Sequence, residues 1–166
     1  MANNLRHFLL SMLLTLISIT PLSLSFAQEI AAPDFAISHD QLPNKLSDLN
    51  GQVVYLDFWA SWCKPCRKSF PWMNQMQLKY AEKELQIIAI NLDAEATLAK
   101  AFLDKVPALV PIVYDPKGKI ANIYQLLGMP SSYLIDKKGN VRFADKGFFT
   151  RTQPLYEQEL ALLLNE

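Results

Sequence analysis

The chain alternates between short apolar runs and segments whose apolar residues recur every three to four positions. Two runs, residues 53–59 and 85–92, are apolar almost throughout and rich in β-branched and aromatic residues. This pattern is typical of strands buried on both faces. Each run is followed by a segment with helical spacing, residues 64–83 and 94–105. The first half of the domain is therefore predicted to fold as strand, helix, strand, helix.

The second half of the chain predicts shorter elements. A strand is predicted at residues 110–114 and a short amphipathic helix at residues 119–126. A hairpin of two strands follows at residues 132–136 and 141–144, and a final helix at residues 153–164. The hairpin is indicated by the turn residues Lys137-Lys138-Gly139-Asn140. Alternation of strands and helices favours parallel pairing, whereas a hairpin is antiparallel. We therefore expect an α/β domain with a mixed central β-sheet and helices on both faces.

Two segments need separate interpretation. In the first predicted helix, the residues available for a core-facing stripe are Phe70, Met73, Met76, Leu78 and Tyr80. Pro71 is predicted to kink this helix. Residues 28–50 contain Pro33 and Pro43 and no clear periodicity, so they are predicted to be an irregular lead-in segment.

The N-terminus has the pattern of an export signal. Residues 8–28 carry no charged side chain, and their densest apolar run, residues 8–19, is shorter than the roughly 18 residues of a membrane span. Small residues at Ser25 and Ala27 suit a signal peptidase, so we predict a signal peptide over 1–27, cleaved after Ala27. An uncleaved membrane anchor is the alternative. Either leaves one domain, residues 28–166, in the periplasm or otherwise outside the cytoplasm.

The composition leaves a pair of cysteines as the candidate reactive groups. The chain has 16 basic and 16 acidic side chains, which gives no indication of a nucleic-acid surface. Its only two cysteines, Cys63 and Cys66, exclude a structural disulfide framework, and a loop this short removes little entropy from the unfolded chain. Residues 28–166 hold one histidine, His39, so the four ligands of a closed zinc site are lacking and no metal site is predicted. Cu(I) held by the two cysteines remains an alternative.

The position of the cysteines indicates redox chemistry. Cys63 is placed where a buried strand gives way to a helix, and the positive end of a helix dipole favours thiolate over thiol. Lys64 adds a positive charge beside it. We therefore expect Cys63 to be the attacking nucleophile and Cys66, one turn into the helix, to be the protected resolving thiol. The disulfide of this pair would be the redox group, and no separate cofactor is expected.

The residues around the pair resemble a known superfamily. The segment 57–66, Asp-Phe-Trp-Ala-Ser-Trp-Cys-Lys-Pro-Cys, is similar to the thioredoxin active-site segment, and Gly128-Met129-Pro130 is similar to the thioredoxin loop that carries a cis-proline. Residues 32–35, Ala-Pro-Asp-Phe, together with the long stretch 91–128, resemble the exported TlpA/ResA-type branch. The resemblance implies a thioredoxin fold with the N-terminal extension and central insertion of that branch.

The resemblance also implies roles for single residues. Pro130 would be cis and lie against the Cys63 sulfur, and the backbone of Met129 would pair with a substrate strand. Asp57 would accept or relay the proton of Cys66, and burial in an apolar strand should raise its pKa. A strand-end Asp satisfied by backbone is the alternative. Where thioredoxins proper have a lysine that pairs with this acid, the chain has Ala89.

Three further residues complete the predicted site. Lys64 and Pro65, between the cysteines, are expected to tune the redox potential, Lys64 by stabilising the reduced form. Trp62 is expected to be exposed and to shape the substrate groove. Trp59 is expected to belong to the core.

The resemblance implies an enzyme, an exported protein-disulfide reductase. Its partners would be disulfide-containing exported proteins and a membrane thiol electron donor, with apocytochrome c as one substrate, and the chain would act as a monomer. An oxidase or isomerase on the same fold and a Cu(I) chaperone remain alternatives. A peroxidase is disfavoured because no Thr-x-x-Cys element precedes the pair.

Overall fold

The computed structural model of the chain describes residues 30–166, which form one six-stranded sheet with helices packed on both of its faces. The predicted signal peptide and its cleavage after Ala27 lie outside these residues. No helix within the described part of the chain is long and apolar enough to cross a membrane.

The sheet is mixed, as predicted. Its strands are β1 (Ile30–Ala31), β2 (Val53–Trp59), β3 (Leu85–Asn91), β4 (Ile112–Tyr114), β5 (Ser131–Ile135) and β6 (Asn140–Lys146), in the spatial order β1-β6-β5-β2-β3-β4. Strands β2, β3 and β4 are parallel, and the other pairs are antiparallel. Every residue of the central strand β2 is buried, which explains why its sequence shows no alternation of apolar and polar residues.

Four helices cover this sheet. They are α1 (Cys66–Lys79), α2 (Ala96–Leu103), α3 (Lys119–Ile123) and α4 (Gln153–Leu164), with short 3-10 helices at Leu46–Leu49 and Thr150–Thr152. Helix α1 begins two residues later than predicted, because the segment before Pro65 folds as a turn in which the Cys63 N–H donates to the Ala60 carbonyl. The cysteine pair therefore spans the junction between a turn and a helix.

The two faces of the sheet have separate cores. On one face, side chains of α1, α2 and α4 pack against alternate residues of β2, including Tyr55 and Trp59. On the other face, α3 and the segment before β2 pack against residues such as Leu56 and Phe58. Asp57 shares the face of Tyr55 and Trp59, because side chains alternate along a strand. The carboxyl group is thus directed towards the face covered by α1, the helix that begins at Cys66.

Two predictions about packing are wrong. Leu78 does not face the core and is 67% exposed, because residues 70, 73, 76 and 80 follow one stripe of α1 and position 78 falls on the opposite side. The described part of the lead-in is not irregular throughout: β1 pairs with β6, Ala36 bridges to Lys45, and Leu46 and Leu49 are buried. The pairing of β1 with β6 joins residues far apart in the chain, so local periodicity does not reveal it.

The stripe on α1 gives a matched pair of substitutions. Met76→Ala should lower the free energy of unfolding by about 2–5 kcal/mol, because Met76 is 1% exposed and truncation leaves a cavity. Leu78→Ala on the same helix should change it by no more than about 0.5 kcal/mol. Urea denaturation of both variants measures the difference. Equal losses would contradict the assignment of the two helix faces.

Candidate active site

The cysteines lie at the end of the sheet where parallel strands β2 and β3 terminate. Cys63 and Cys66 form a disulfide with an S–S distance of 1.99 Å and a Cα–Cα distance of 5.4 Å. The side chains are 4% and 0% exposed, respectively. The loop from Ala60 to Pro65 therefore presents Cys63 at the surface end of the pair and Cys66 at the buried end.

The surroundings of Cys63 favour its thiolate after reduction. The backbone N–H of Cys66 donates to Cys63 Sγ at 3.3 Å, at the N-terminal end of α1. The first turn of this helix contains no acidic residue. Exposed Lys64, Arg67 and Lys68 add positive charge, although water screens it. The helix dipole and this donor together stabilise negative charge on the sulfur.

Cys66 was predicted to lie one turn into the helix. It is instead the first residue of α1, with Pro65 as the N-cap. It is nevertheless fully buried, because β2 and the aromatic side chains of Trp59 and Phe70 enclose this end of α1. A substrate disulfide approaching from solvent therefore meets Cys63 first. The asymmetry expected for an attacking and a resolving cysteine comes from packing rather than from depth within the helix.

Asp57 lies in the middle of β2 and is 1% exposed. The hydroxyl of Ser69 contacts both Asp57 Oδ2, at 3.3 Å, and the carbonyl oxygen of Cys66, at 3.0 Å. This shared contact places the carboxyl group beside the first turn of α1. Burial raises the pKa of Asp57 to about 7, and the Ser69 hydrogen bond opposes part of that increase. The predicted increase in pKa is confirmed, and a side chain rather than the backbone supplies the hydrogen bond.

The Met129–Pro130 peptide bond is cis, as the resemblance implied. Pro130 is buried, and Met129 is half-buried and packs against the cluster that contains both cysteines. The next residue, Ser131, pairs with Phe58 near the end of β2. The loop of Pro130 therefore lies at the same end of the sheet as Cys63.

The two tryptophans of the motif differ as predicted. Trp62 is 68% exposed beside Cys63, whereas Trp59 is fully buried. The Trp59 ring packs against Phe70 and Phe102, with centroid distances of 4.9 and 4.8 Å. Only Trp62 is available to contact a substrate. The role of Trp62 in substrate binding stays a prediction, as do those of Met129 and Pro130.

A second buried carboxylate, missed at the level of sequence, fixes the loop before Cys63. Asp93 is 2% exposed and accepts hydrogen bonds from the Ser61 N–H at 2.9 Å, the Ser61 hydroxyl at 2.8 Å and the Asn91 side-chain amide at 2.9 Å. The available sequence signal was the polar pair Asn91 and Asp93 closing an apolar strand. Ser69, also missed, carries no signal apart from its spacing of three residues from Cys66.

The buried carboxyl group gives a prediction about stability. Burial raises the pKa of Asp57 from 3.8 to about 7, so between these values the folded protein holds a proton that the unfolded chain releases. The free energy of unfolding of the oxidised protein should therefore fall as pH rises from about 4 to 7. Asp57→Asn should remove this slope and raise stability above pH 7 by up to roughly 4 kcal/mol.

Urea denaturation of the oxidised protein at about pH 4.5 and about pH 8.5 measures the free energy of unfolding on either side of the Asp57 titration. Asp40→Asn, which removes an exposed carboxyl group, serves as the control and should keep the wild-type slope. An unchanged slope in Asp57→Asn would show that another group accounts for the pH dependence.

Comparison with known proteins agrees with this geometry. Residues 29–144 match the AhpC/TSA family. The chain is 34% identical over 125 residues to the thiol-disulfide oxidoreductase ResA of Oceanobacillus iheyensis, covering 72% of this chain and 65% of that protein. It is 37% identical over 123 residues to the ResA of Bacillus thuringiensis subsp. konkukian, covering 74% of this chain and 71% of that one. The chain thus spans slightly less than two thirds of the first relative's length.

Solved structures give the same picture. A Chlorobium tepidum protein assigned as the thiol:disulfide interchange protein DsbE superposes with a TM-score of 0.78 at 48% identity, covering 84% of this chain and 99% of that one. A Bacteroides thetaiotaomicron protein assigned as a protein disulfide isomerase superposes with a TM-score of 0.75 at 28% identity, covering 83% and 90%. The chain therefore belongs to the AhpC/TSA family of the thioredoxin superfamily, among the ResA-like thiol-disulfide oxidoreductases.

Proposed function

We propose that this protein is an exported reductase of protein disulfides that works by dithiol-disulfide exchange through Cys63 and Cys66. The observation that carries the proposal is the arrangement of the pair, with Cys63 at the N-terminal end of α1 and Asp57 buried beside the same helical turn. In this proposal Cys63 is the attacking thiol, and Asp57 is the base for Cys66. The names of the ResA relatives support the reaction class.

The reaction would begin with the reduced protein. The Cys63 thiolate attacks one sulfur of a substrate disulfide, forms a mixed disulfide and releases the other substrate sulfur as a thiolate, which takes a proton from water. The Cys66 thiol then gives its proton to Asp57, and the Cys66 thiolate attacks Cys63 Sγ. This step releases the second substrate sulfur, so the substrate gains two electrons and the protein becomes the disulfide form.

A pKa near 7 suits Asp57 to this second step. A carboxylate with an ordinary pKa is too weak a base to take a proton from a thiol efficiently, whereas one titrating near neutrality is ionised in part and more basic. The same group, once protonated, can return the proton to Cys66 when the disulfide is reduced again. Asp57 is thus proposed to act on the resolving cysteine, Cys66.

The setting of the reaction follows from the N-terminal sequence and the family. The predicted signal over residues 1–27 supports export, and reduction outside the cytoplasm requires an electron source, which we propose is a membrane thiol donor. Substrates would be exported proteins with disulfides, apocytochrome c among them. The protein is proposed to act as a monomer, with Trp62 and the Met129 backbone in contact with the substrate.

Trapping of mixed disulfides tests which cysteine attacks and which one resolves. Cys66→Ala should accumulate mixed disulfides with exported proteins, because Cys63 still attacks but no resolving thiol releases the product. Non-reducing electrophoresis followed by mass spectrometry identifies the trapped proteins. Cys63→Ser is the matched control and should trap nothing and lose disulfide reduction.

Reduction that persists in Cys63→Ser would contradict the proposed attack. Absence of any trapped protein with Cys66→Ala would favour the copper-binding alternative. Within residues 30–166 there is no cluster of three or more His, Cys, Asp or Glu residues that could hold a metal ion.

The redox potential tests the direction of electron flow. A reductase should have a potential near about −250 mV, close to that of thioredoxin, whereas a value near −120 mV is that of a strong oxidant. Equilibration with glutathione buffers, followed by alkylation of free thiols, measures it. Lys64→Gly should lower the potential, because the cation beside Cys63 stabilises the reduced form. A wild-type value near −120 mV would favour the oxidase alternative.

A further inference from the structure

Exposed basic side chains surround the end of the sheet at which the cysteines lie. This basic collar consists of Lys64, Arg67 and Lys68, around the start of α1, and Lys146 and Arg151, at and after the end of β6. We propose that the basic collar attracts anionic polypeptide segments, so that the protein prefers substrates whose disulfide is flanked by Asp or Glu residues. This inference rests on the proposed function and names its substrate class.

Lys146 lies against the loop that carries the cis-proline. It ends β6 opposite Ser131, the residue that follows Pro130. Its Cε atom is 3.3 Å from the point at which a Cβ atom on Gly128 would stand, so the lysine stem passes beside this glycine. A long basic side chain packs its methylene groups on the protein and keeps its ammonium group in water. The charge of Lys146 is therefore placed beside residues 128–130.

Arg151 is connected to the same loop through an aromatic ring. The Gly147 N–H donates to the Pro130 carbonyl at 2.7 Å. The Phe149 ring covers Gly147, with ring carbons 3.1 and 3.2 Å from the point at which a Cβ atom would stand. The Arg151 guanidinium lies over the Phe149 ring, 5.1 Å from its centroid. A guanidinium that rests on a ring face keeps N–H groups at its edge for a carboxylate.

Arg67 is held in the same way near the start of α1. Its guanidinium lies over the Phe102 ring, 5.1 Å from the centroid. Lys64 and Lys68 are exposed on either side of it in sequence, and the first turn of α1 holds no acidic residue. The cations of the basic collar are thus positioned by packing and by the helix, without a carboxylate partner.

The lack of ion pairs distinguishes the basic collar from other parts of the surface. Within residues 30–166, none of its five members forms an ion pair. Elsewhere, exposed basic side chains do pair with carboxylates, as in Lys79 with Glu157 and Arg142 with Glu166. The charge of the basic collar is therefore available to a carboxylate of another molecule.

Carboxyl groups at the same end of the sheet are buried or lie away from the basic collar. Asp57 and Asp93 are 1% and 2% exposed. Asp145 precedes Lys146 on β6, so its side chain projects from the opposite face of that strand. Glu95 is exposed at the start of α2, but it follows β3, which lies on the other side of β2 from β6. An anion approaching between α1 and the end of β6 therefore meets positive charge.

The expected effect is on the encounter with the substrate. Charges at the rim of a binding surface mainly change the rate of association, and salt weakens them. Trp62, 68% exposed next to Cys63, adds an aromatic surface for a polypeptide. A disulfide flanked by carboxylates should therefore reach the Cys63 thiolate faster than one flanked by cations, and this advantage should shrink as salt is added.

Matched peptides test the basic collar. Two peptides of equal length each contain one disulfide, flanked by glutamates in one and by lysines in the other. Their reduction by the reduced wild-type protein is followed by acid quenching and alkylation. Each rate constant is divided by that of the same peptide with an uncharged phosphine, which corrects for the intrinsic reactivity of the disulfide.

The ratio of the two corrected rate constants, glutamate peptide over lysine peptide, is the quantity measured. At about 0.02 M ionic strength it should be at least about 10, because attraction and repulsion are weakly screened. At about 1 M NaCl it should fall below about 3, because the Debye length is then only about 3 Å.

Charge reversal identifies the side chains responsible. Lys146→Glu combined with Arg151→Glu should lower the low-salt ratio by at least about 10-fold, because both cations become carboxylates beside the cis-proline loop. The redox potential should stay near the wild-type value, which separates attraction of the substrate from tuning of the cysteine pair. Lys146→Arg keeps the charge and should keep the ratio.

A control with the same net charge tests whether position matters. Lys83→Glu combined with Lys105→Glu reverses two exposed cations at the opposite end of the sheet, before β3 and after α2. This variant should keep the wild-type ratio to within about 2-fold, because its charges lie beyond the Debye length from Cys63 at moderate salt.

Three outcomes would overturn the basic collar: a wild-type ratio near 1 at low salt, a ratio that salt does not lower, or equal losses in the two charge-reversal variants. Failure of the proposed function gives a different result. If the wild-type protein reduces both peptides at similar rates, the reductase proposal stands and the basic collar is wrong. If it reduces neither peptide, the proposed function itself is wrong.

Discussion

The burial of the Asp57 carboxyl group at the centre of the sheet is the constraint on which the site depends. An uncompensated carboxylate in such a place is costly, so the group stays neutral until the pH approaches its raised pKa, near 7. Ser69 supplies one hydrogen bond, too little to restore an ordinary pKa. The sheet and α1 thus keep a weakly acidic group beside the turn that begins with Cys66. That property suits the proton transfer to and from Cys66 that is proposed above.

A second constraint fixes the geometry of the cysteines. Asp93 accepts three hydrogen bonds, two of them from Ser61, and so ties the loop after β2 to the end of β3. Because Cys63 follows Ser61 by two residues, this tie holds the loop that leads into α1. The N–H of Cys66 then meets Cys63 Sγ. One buried carboxyl group is therefore proposed to take part in the chemistry, and the other holds the loop by hydrogen bonds.

Several parts of this arrangement were predictable because local sequence carries them. Runs that are apolar almost throughout predicted β2 and β3, and the Gln153–Leu164 helix was predicted with the bounds that α4 has. The contrast between Trp59 and Trp62 was also predicted: Trp59 ends the buried strand β2, and Trp62 lies in the loop after it. The start of α1, the exposure of Leu78 and the order within the lead-in were predicted wrongly. The order within the lead-in depends in part on the pairing of β1 with distant β6, whereas the other two follow from the stripe of α1 and the turn between Ala60 and Cys63.

By itself, the sequence determined the kind of protein this is: a mixed α/β domain with one pair of cysteines at a strand-to-helix junction and an acid six residues before the first of them. These features are local, because they depend on spacing and on the order of apolar runs. Tertiary structure alone decided which groups surround the acid. The register of β2 with β3 and β5 places Ala89 on one side of Asp57 and Ser132 on the other, and the next pairing adds Asp145. The register of β2 with β3 and β5 joins segments that are far apart in the chain and depends on how their buried faces pack, so local spacing does not reveal it.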